Sequence, residues 1–343
     1  MSISIDTIVN FSKATIFHPV TLLAFLGYKI KEANGRPEQS GYVTTAYIFL
    51  ALYATKWFSN RWRNGLLPQK RLNKETWKEE IVLVTGGAQG IGKATATRLA
   101  KKGAKVAAID IIDFKPVHSR ITAYKCDISD YDALVELKEK IQKDLGGNVT
   151  MVANIAGLNN KSLILDLDKD KVSKMIDVNL KSHFWTAMIF LPAMVKRKRG
   201  HFLSISSTMG YAGITHQSDY VACKHGLVGM QESLYYEMNK MYKTPNVRTS
   251  IAMIGHTQTA LFESFDVGAS GRFMGPLLDP DYVASLIEDA FEAQESRIIL
   301  TPFSNNLTPA IKAFPSFMRD FLQYTSGADG AYPSRPTPSQ LGH

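Results

Sequence analysis

Five apolar or β-branched residues, Ile81-Val-Leu-Val-Thr85, run straight into Gly86-Gly-Ala-Gln-Gly90-Ile91-Gly92, and a helical pattern comes immediately after. Few folds accommodate that junction. A strand apolar at nearly every position is buried on both faces, as in a parallel sheet. Four glycines among seven residues allow a tight turn and a backbone approach that a Cβ would block. The helix that opens there offers free N–H groups and the positive end of its dipole to an anion. A strand, glycine turn and helix in this order is the unit that cradles a pyrophosphate, so Gly86, Gly90, Ile91 and Gly92 are candidate cofactor contacts.

The alternation continues downstream. The runs KVAAID, ITAYKCD, VTMVANIAG, HFLSISS, NVRTSIAMI and RIILT read as further strands. Helices are expected from Gly90 to about Lys102, over YDALVELKEKIQKDL, across 168–178 and 180–198, from about Asp219 to Met241, and over DPDYVASLIEDAFEA. This βαβ pattern gives a parallel sheet with helices on both faces. The expected fold is α/β, a doubly wound Rossmann fold with a seven-stranded parallel sheet over residues 79–301.

Residues 1–78 have a different pattern. Fifteen residues between Lys13 and Lys29, and seventeen between Glu38 and Lys56, carry no Lys, Arg, Asp or Glu. As helices they would be about 22–26 Å long, against about 30 Å for a hydrocarbon core. They fit a hairpin dipping into a membrane, two short tilted helices, or a helix pair packed on a soluble domain. No basic region precedes the first run, and no small-residue site comes after it, so a cleaved leader is not expected. Residues 56–79 interleave Trp57, Trp62 and Trp77 with basic side chains, a composition suited to a membrane interface. At the other end, Leu307, Ile311, Phe314, Phe317, Met318, Phe321 and Leu322 share one face of an amphipathic helix that Pro309 and Pro315 would kink. The Pro-, Gly- and Ser-rich remainder of 302–343 is expected to be loose.

Composition narrows the function classes. An apolar fraction of 45% excludes a wholly disordered chain. Two cysteines, Cys126 and Cys223, cannot build a disulfide framework or a cysteine metal site, which fits a reducing compartment. Eight histidines without HExxH or paired spacing argue against a metal. The net charge of +9 resides in residues 56–79, at +5, and in Lys196-Arg-Lys-Arg199. The first stretch leads into strand one and the second into strand five, so both would lie at the N-terminal edge of the parallel sheet, away from the cofactor crevice. That location speaks against nucleic acid and for a side facing anionic headgroups. The second stretch also suits a helix C-terminus.

The chemistry lies in Tyr220-Val-Ala-Cys-Lys224. A spacing of four puts both side chains on one helix face. An ammonium there is expected to lower the pKa of the phenol, fitting it for acid or base work. Ser207 ends a strand that points into the crevice, thirteen residues earlier, and Asn179 lies near a break between two helices. Asp110 ends the second strand, where an acid accepts from the adenosine ribose hydroxyls and repels a 2′-phosphate. With Gln89 rather than a basic residue in the turn, NAD is favoured over NADP. Cys223 points differently from its neighbours and reads as packing. His216 and His256 lie near the pocket without an assigned role.

Together TGGAQGIG, NIAG at 154–157, Asn179, Ser207 and YVACK resemble the short-chain dehydrogenase/reductase family. The resemblance implies Tyr220 as acid/base, Lys224 as the residue that holds the nicotinamide ribose and tunes Tyr220, and Ser207 as the group orienting the reacting oxygen. It implies Asn179 holding a relay water, Asp127 near the adenine, Asn154 as the first Asn of NNAG, and Thr259 at the carboxamide. Two positions depart from the pattern: Ile155 replaces the second Asn, and Ile254 replaces the proline of PGxxxT. HFWTAMIFLPAM, with GHFLSIS after it, is similar to the retinol and 17β-hydroxysteroid dehydrogenase branch, whose members carry a hydrophobic N-terminal extension and associate with endoplasmic reticulum or lipid droplets.

The expected activity is that of an NAD-dependent oxidoreductase of lipophilic alcohols and ketones (retinoid, steroid, sterol or long-chain lipid). An apolar lid from Leu261 to Leu278, with Phe262, Phe265, Val267, Phe273, Met274 and Leu277, would suit that substrate. An NADPH-dependent ketone reductase and a non-catalytic dinucleotide-binding scaffold are the alternatives. A homodimer pairing through helices 180–198 and 219–241 is implied by the same resemblance.

Overall fold

The strand that leads into the glycine turn lies inside the sheet and is buried at every residue. The computed structural model describes residues 4–14, 18–32, 41–65, 70–262 and 268–332. Seven strands, β1 (Ile81–Thr85), β2 (Lys105–Asp110), β3 (Ile121–Lys125), β4 (Met151–Asn154), β5 (Gly200–Ser207), β6 (Val247–Ile254) and β7 (Ile298–Thr301), form one sheet. Its order is β3-β2-β1-β4-β5-β6-β7, and every pairing is parallel. The chain leaves β1 toward one edge and returns beyond it at β4, so the direction of winding switches between those strands. A crevice opens at such a switch, beyond the carboxyl ends of the strands.

Alternation along β1 sends side chains to two cores. Val82 and Val84 join Leu99, Ile287 and Phe291 on one face. Leu83 joins Ile109, Ile141 and Phe202 on the other. The helices between strands end where the sequence says they should. Asp130, Asp168 and Asp279 cap N-termini through their carboxylates, while Gly103 and Gly146 close C-termini in the left-handed region.

Four sequence expectations need correction. Residues 168–198 do not break into two helices. A π turn at Asp177–Lys181 joins Lys169–Ile176 to Ser182–Arg197, with Asn179 inside it. Trp77 is not an interfacial aromatic: it is buried in the core beside Leu72, whereas Trp57 and Trp62 are exposed. The basic residues near β5 are partly compensated, because Arg197 and Arg199 both bond the buried carboxylate of Glu80. The segment after β7 is not uniformly loose. Helices Thr308–Ile311 and Ser316–Ser326 are separated at Pro315, and Ala331 and Tyr332 are buried.

The chain divides into two compact units, Met1–Gln69 and Lys70–His343. In the first, helices Pro19–Glu32 and Gly41–Asn64 pack through Leu22, Leu26, Val43 and Ala46. Phe25, Phe49 and Leu50 pack against that core, while Leu23, Ile48, Leu52 and Phe58 face outward. No helix among the described residues is long and apolar enough to cross a membrane.

Candidate active site

The turn after β1 has the shape the glycines suggested. Gly86 and Gly90 adopt φ of +71° and +54°. A Cβ on Gly92 would sit 2.0 Å from the Gly86 carbonyl oxygen, so no other residue fits there. Gly86, Gly90, Ile91 and Gly92 line a cleft of about 630 Å³ with Asp110, Asp127, Ile155, Ala156 and Thr259. Asp110 accepts from the Ala88 N–H at 3.0 Å, which fixes its carboxylate beside the turn. The Thr259 side chain packs against the turn at Gly90. Asp127 accepts from Ser129 and from Lys174 Nζ at 2.6 Å. Burial would raise its pKa, but these partners hold it below the ordinary carboxylate value.

The second half of the site hangs on β5 and on helix Ser218–Tyr236. Ser206 Oγ donates to the Lys224 carbonyl at 3.0 Å, fastening that helix to the strand. Ser207, Tyr220 and Lys224 are all buried. The Ser207 hydroxyl accepts from the Met209 N–H at 3.3 Å and, near the Tyr220 phenol, favours its ionised form. Lys224 Nζ donates to the Ile205 carbonyl at 2.9 Å and lies 5.4 Å from the Tyr220 ring centre. Asn179 is fully buried; its side chain accepts from the Leu158 N–H at 2.7 Å and donates to the Leu158 carbonyl at 2.8 Å. Both ends of the amide are thus engaged with the loop after β4.

One electrostatic expectation is corrected. Burial pushes the Tyr220 phenol above its ordinary value, and the neighbouring Ser207 hydroxyl offsets only part of that. Burial also lowers Lys224 to about 8. The two groups share one desolvated pocket, and each is less easily charged there than in water.

Residues 80–268 match the short chain dehydrogenase family. The chain belongs to that family. It is 29% identical to human epidermal retinol dehydrogenase 2 over 77% of this chain and 84% of that one. It is 27% identical to human 17-beta-hydroxysteroid dehydrogenase 13 over 70% of this chain and 79% of that one. Among solved structures, it is similar to a 3-ketoacyl-(acyl-carrier-protein) reductase from Brucella melitensis complexed with NADH. The TM-score is 0.60 at 20% identity, over 65% of this chain and 96% of that one. The retinol and hydroxysteroid branch read from the sequence is therefore the right one, and this dehydrogenase acts on CH–OH groups with a nicotinamide dinucleotide.

The residues present fit that cofactor. The glycine cradle has no room for side chains, a helix N-terminus faces it, and acids stand beyond it. The bound dinucleotide would exchange hydride with the substrate carbon. A neutral, buried Tyr220 can give its proton to a carbonyl oxygen held by Ser207, and its phenolate, with the Lys224 ammonium nearby, can take one back from an alcohol. Asn179 ties the π turn to the loop lining the cleft, and a π turn leaves backbone carbonyls outside the regular helical pattern.

Of the expected cofactor contacts, Tyr220, Lys224 and Asn154 are not among the residues lining that cleft, and of these Asn154 belongs to neither half of the site. Its side chain accepts from Thr186 Oγ1 at 3.0 Å and supports the helix behind the sheet rather than lining the cleft. The departure at Ile155 is covered by Thr85, whose hydroxyl accepts from the N–H groups of Ile155 and Ala156 at 2.9 and 3.1 Å. The loop after Ile254 is held by Leu278, which bonds His256 and Gln258 through the backbone. Leu278 is thus core rather than lid. Phe262 meets Tyr220 edge-on at 6.0 Å, Phe273 and Leu277 are exposed, and Phe265 and Val267 lie outside the described residues. Sequence reasoning missed Thr85, Lys174 and Tyr332. Only Thr85, next to the glycine turn, carried a local signal. Among the described residues no metal-binding cluster occurs.

Proposed function

We propose that this dehydrogenase is NAD-dependent and oxidises or reduces a lipophilic alcohol or ketone, of retinoid, steroid, sterol or long-chain type. The observation that carries the reading is the buried Ser207–Tyr220–Lys224 set beside a cradle whose far end holds Asp110. The carboxylate of Asp110 disfavours a 2′-phosphate. Met175, Cys223, Met209 and Phe262 surround Tyr220, an apolar setting suited to a lipid substrate. The names of the retinol and hydroxysteroid relatives point the same way.

The reading extends to place and partners. The outward apolar side chains of Pro19–Glu32 and Gly41–Asn64, with exposed Trp57 and Trp62, favour attachment to an endoplasmic reticulum or lipid-droplet surface. A groove of about 900 Å³ between Ser182–Arg197 and Ser218–Tyr236, lined by Phe184, Met188, Leu191 and Met230, favours a homodimer. The test is NADH formation by detergent-solubilised protein with retinol, estradiol and long-chain alcohols, using NAD and NADP in parallel. Turnover with NAD supports the reading. A preference for NADP favours the ketone reductase, and NADH binding without any turnover favours the scaffold.

A further inference from the structure

We infer that Tyr332 is a specificity-determining residue, the outer wall of the substrate pocket brought in by the C-terminal segment 327–332. The inference rests on the oxidoreductase reading for its substrate class but not for its geometry. Tyr332 is only 5% exposed, though it lies about thirty residues beyond the last strand in a polar, Gly-rich stretch. With Ala331 it forms a small apolar cluster against which Met209, Ile214 and Phe262 pack. Met209 and Phe262 also pack against the cluster of Tyr220, Met175 and Cys223, Phe262 meeting the Tyr220 ring edge-on. One layer of side chains therefore separates the tail from the catalytic phenol.

The segment is fastened at both ends. Asp329 accepts from the Thr215 N–H at 3.0 Å through its carboxylate and from Thr215 Oγ1 at 2.9 Å through its carbonyl. The Tyr332 hydroxyl accepts from Gln217 Nε2 and, at 3.2 Å, from Asn159 Nδ2. Gln217 immediately precedes the helix bearing Tyr220, and Asn159 comes just after the loop that Asn179 holds. Tyr332 thus clasps the two loops that flank the reacting position. The clasp is incomplete: Gln217 Oε1 and His216 Nε2 are buried there with no hydrogen-bond partner among the described residues. Such atoms raise the energy of the closed segment. A polar group of an entering substrate would satisfy them while its apolar body packs on the Tyr332 ring.

The experiment compares full-length wild-type, Tyr332→Ala and Tyr332→Phe protein in detergent. Retinol binding is followed by its own fluorescence without added dinucleotide, and kcat/KM is measured with NAD as hydride acceptor for retinol against a short primary alcohol. Expected for Tyr332→Ala is an approximately tenfold weaker retinol Kd, equivalent to about 1.4 kcal/mol. The retinol-to-short-alcohol ratio of kcat/KM falls by a similar factor, with NADH affinity unchanged. Tyr332→Phe keeps the ring and most of that selectivity. If Tyr332→Ala fails to bind NADH, Tyr332→Leu gives the same readout with the pocket filled differently. Unchanged retinol affinity and selectivity in the alanine or leucine variant overturns the inference, as does a wild-type protein that binds no retinol. Wild-type protein that binds retinol without oxidising it overturns retinol as the substrate alcohol and leaves the Tyr332 wall standing.

Discussion

Lys224 Nζ lies 5.4 Å from the centre of the Tyr220 ring while donating to the Ile205 carbonyl, so the ammonium is held in place by β5 rather than by the phenol itself. The proton-transfer group and the charge that assists it are therefore positioned independently. Tyr220→Phe removes the transferable proton without disturbing Lys224. Turnover should fall about 10²–10⁴-fold, the usual worth of a positioned acid/base. NADH affinity, read by fluorescence, should stay within about twofold of wild type, since the phenol hydroxyl lies apart from the glycine cradle.

Gly92→Ala should abolish NADH binding. The added methyl would meet the Gly86 carbonyl at 2.0 Å, and neither backbone can yield without unwinding the turn. A fluorescence titration showing wild-type affinity would mean that the turn is not the pyrophosphate cradle.

Glu80 is buried between two guanidinium groups. Its replacement by Ala leaves Arg197 and Arg199, each about one-third exposed, without their shared carboxylate. Removing one member of a buried pair costs about 3–5 kcal/mol, though the partial exposure of both arginines argues for the lower end. Chemical denaturation should show that loss, with NADH affinity retained once the variant is folded.

His183 and His201 are completely buried, and burial lowers both to about 3, with nearby cations acting in the same sense. Unfolded histidines titrate near 6.5. Between those values the unfolded chain binds more protons, so stability is lost as pH falls from about 6.5 toward 3. His183→Gln with His201→Gln should flatten that acid limb in denaturation midpoints measured across the window. An unchanged slope would show that the imidazoles are not held neutral.

Much of this site is legible in the chain because its signals are local. The glycines of 86–92 announce a turn that only they can make. The four-residue spacing of Tyr220 and Lys224 fixes their common face wherever that helix lies. The position of Asn179 is legible but its setting is not, since nothing in DVNLK distinguishes a π turn from an ordinary helix. Trp77 misleads because its neighbours are basic, whereas its fate is decided by packing against Leu72 and the helix of Leu99. Tyr332 is invisible for a related reason. Its partners Gln217 and Asn159 lie 115 and 173 residues away, and its own stretch has no periodicity. The pKa of Tyr220 moves against the sequence expectation because a Tyr–Lys spacing shows the charge but not the burial.

That burial gives Lys224 a distinct signature in stability. Its folded value of about 8 lies below the 10.5 of an unperturbed lysine. Between the two, the unfolded chain holds the proton more tightly, so unfolding takes one up and stability rises with pH. Below about 8 the ammonium is charged in both states, and the cost of burying it is constant. Tyr220 acts oppositely above 10, because its raised value keeps it protonated in the fold after the unfolded phenol has ionised. The window to read is therefore pH 8 to 10. Denaturation midpoints of free wild-type protein should climb through that window relative to Lys224→Met, which has no ammonium to neutralise. A difference that stays flat from 8 to 10 would mean that Lys224 remains hydrated in the free enzyme, and that its charge is available to Tyr220 at no desolvation cost.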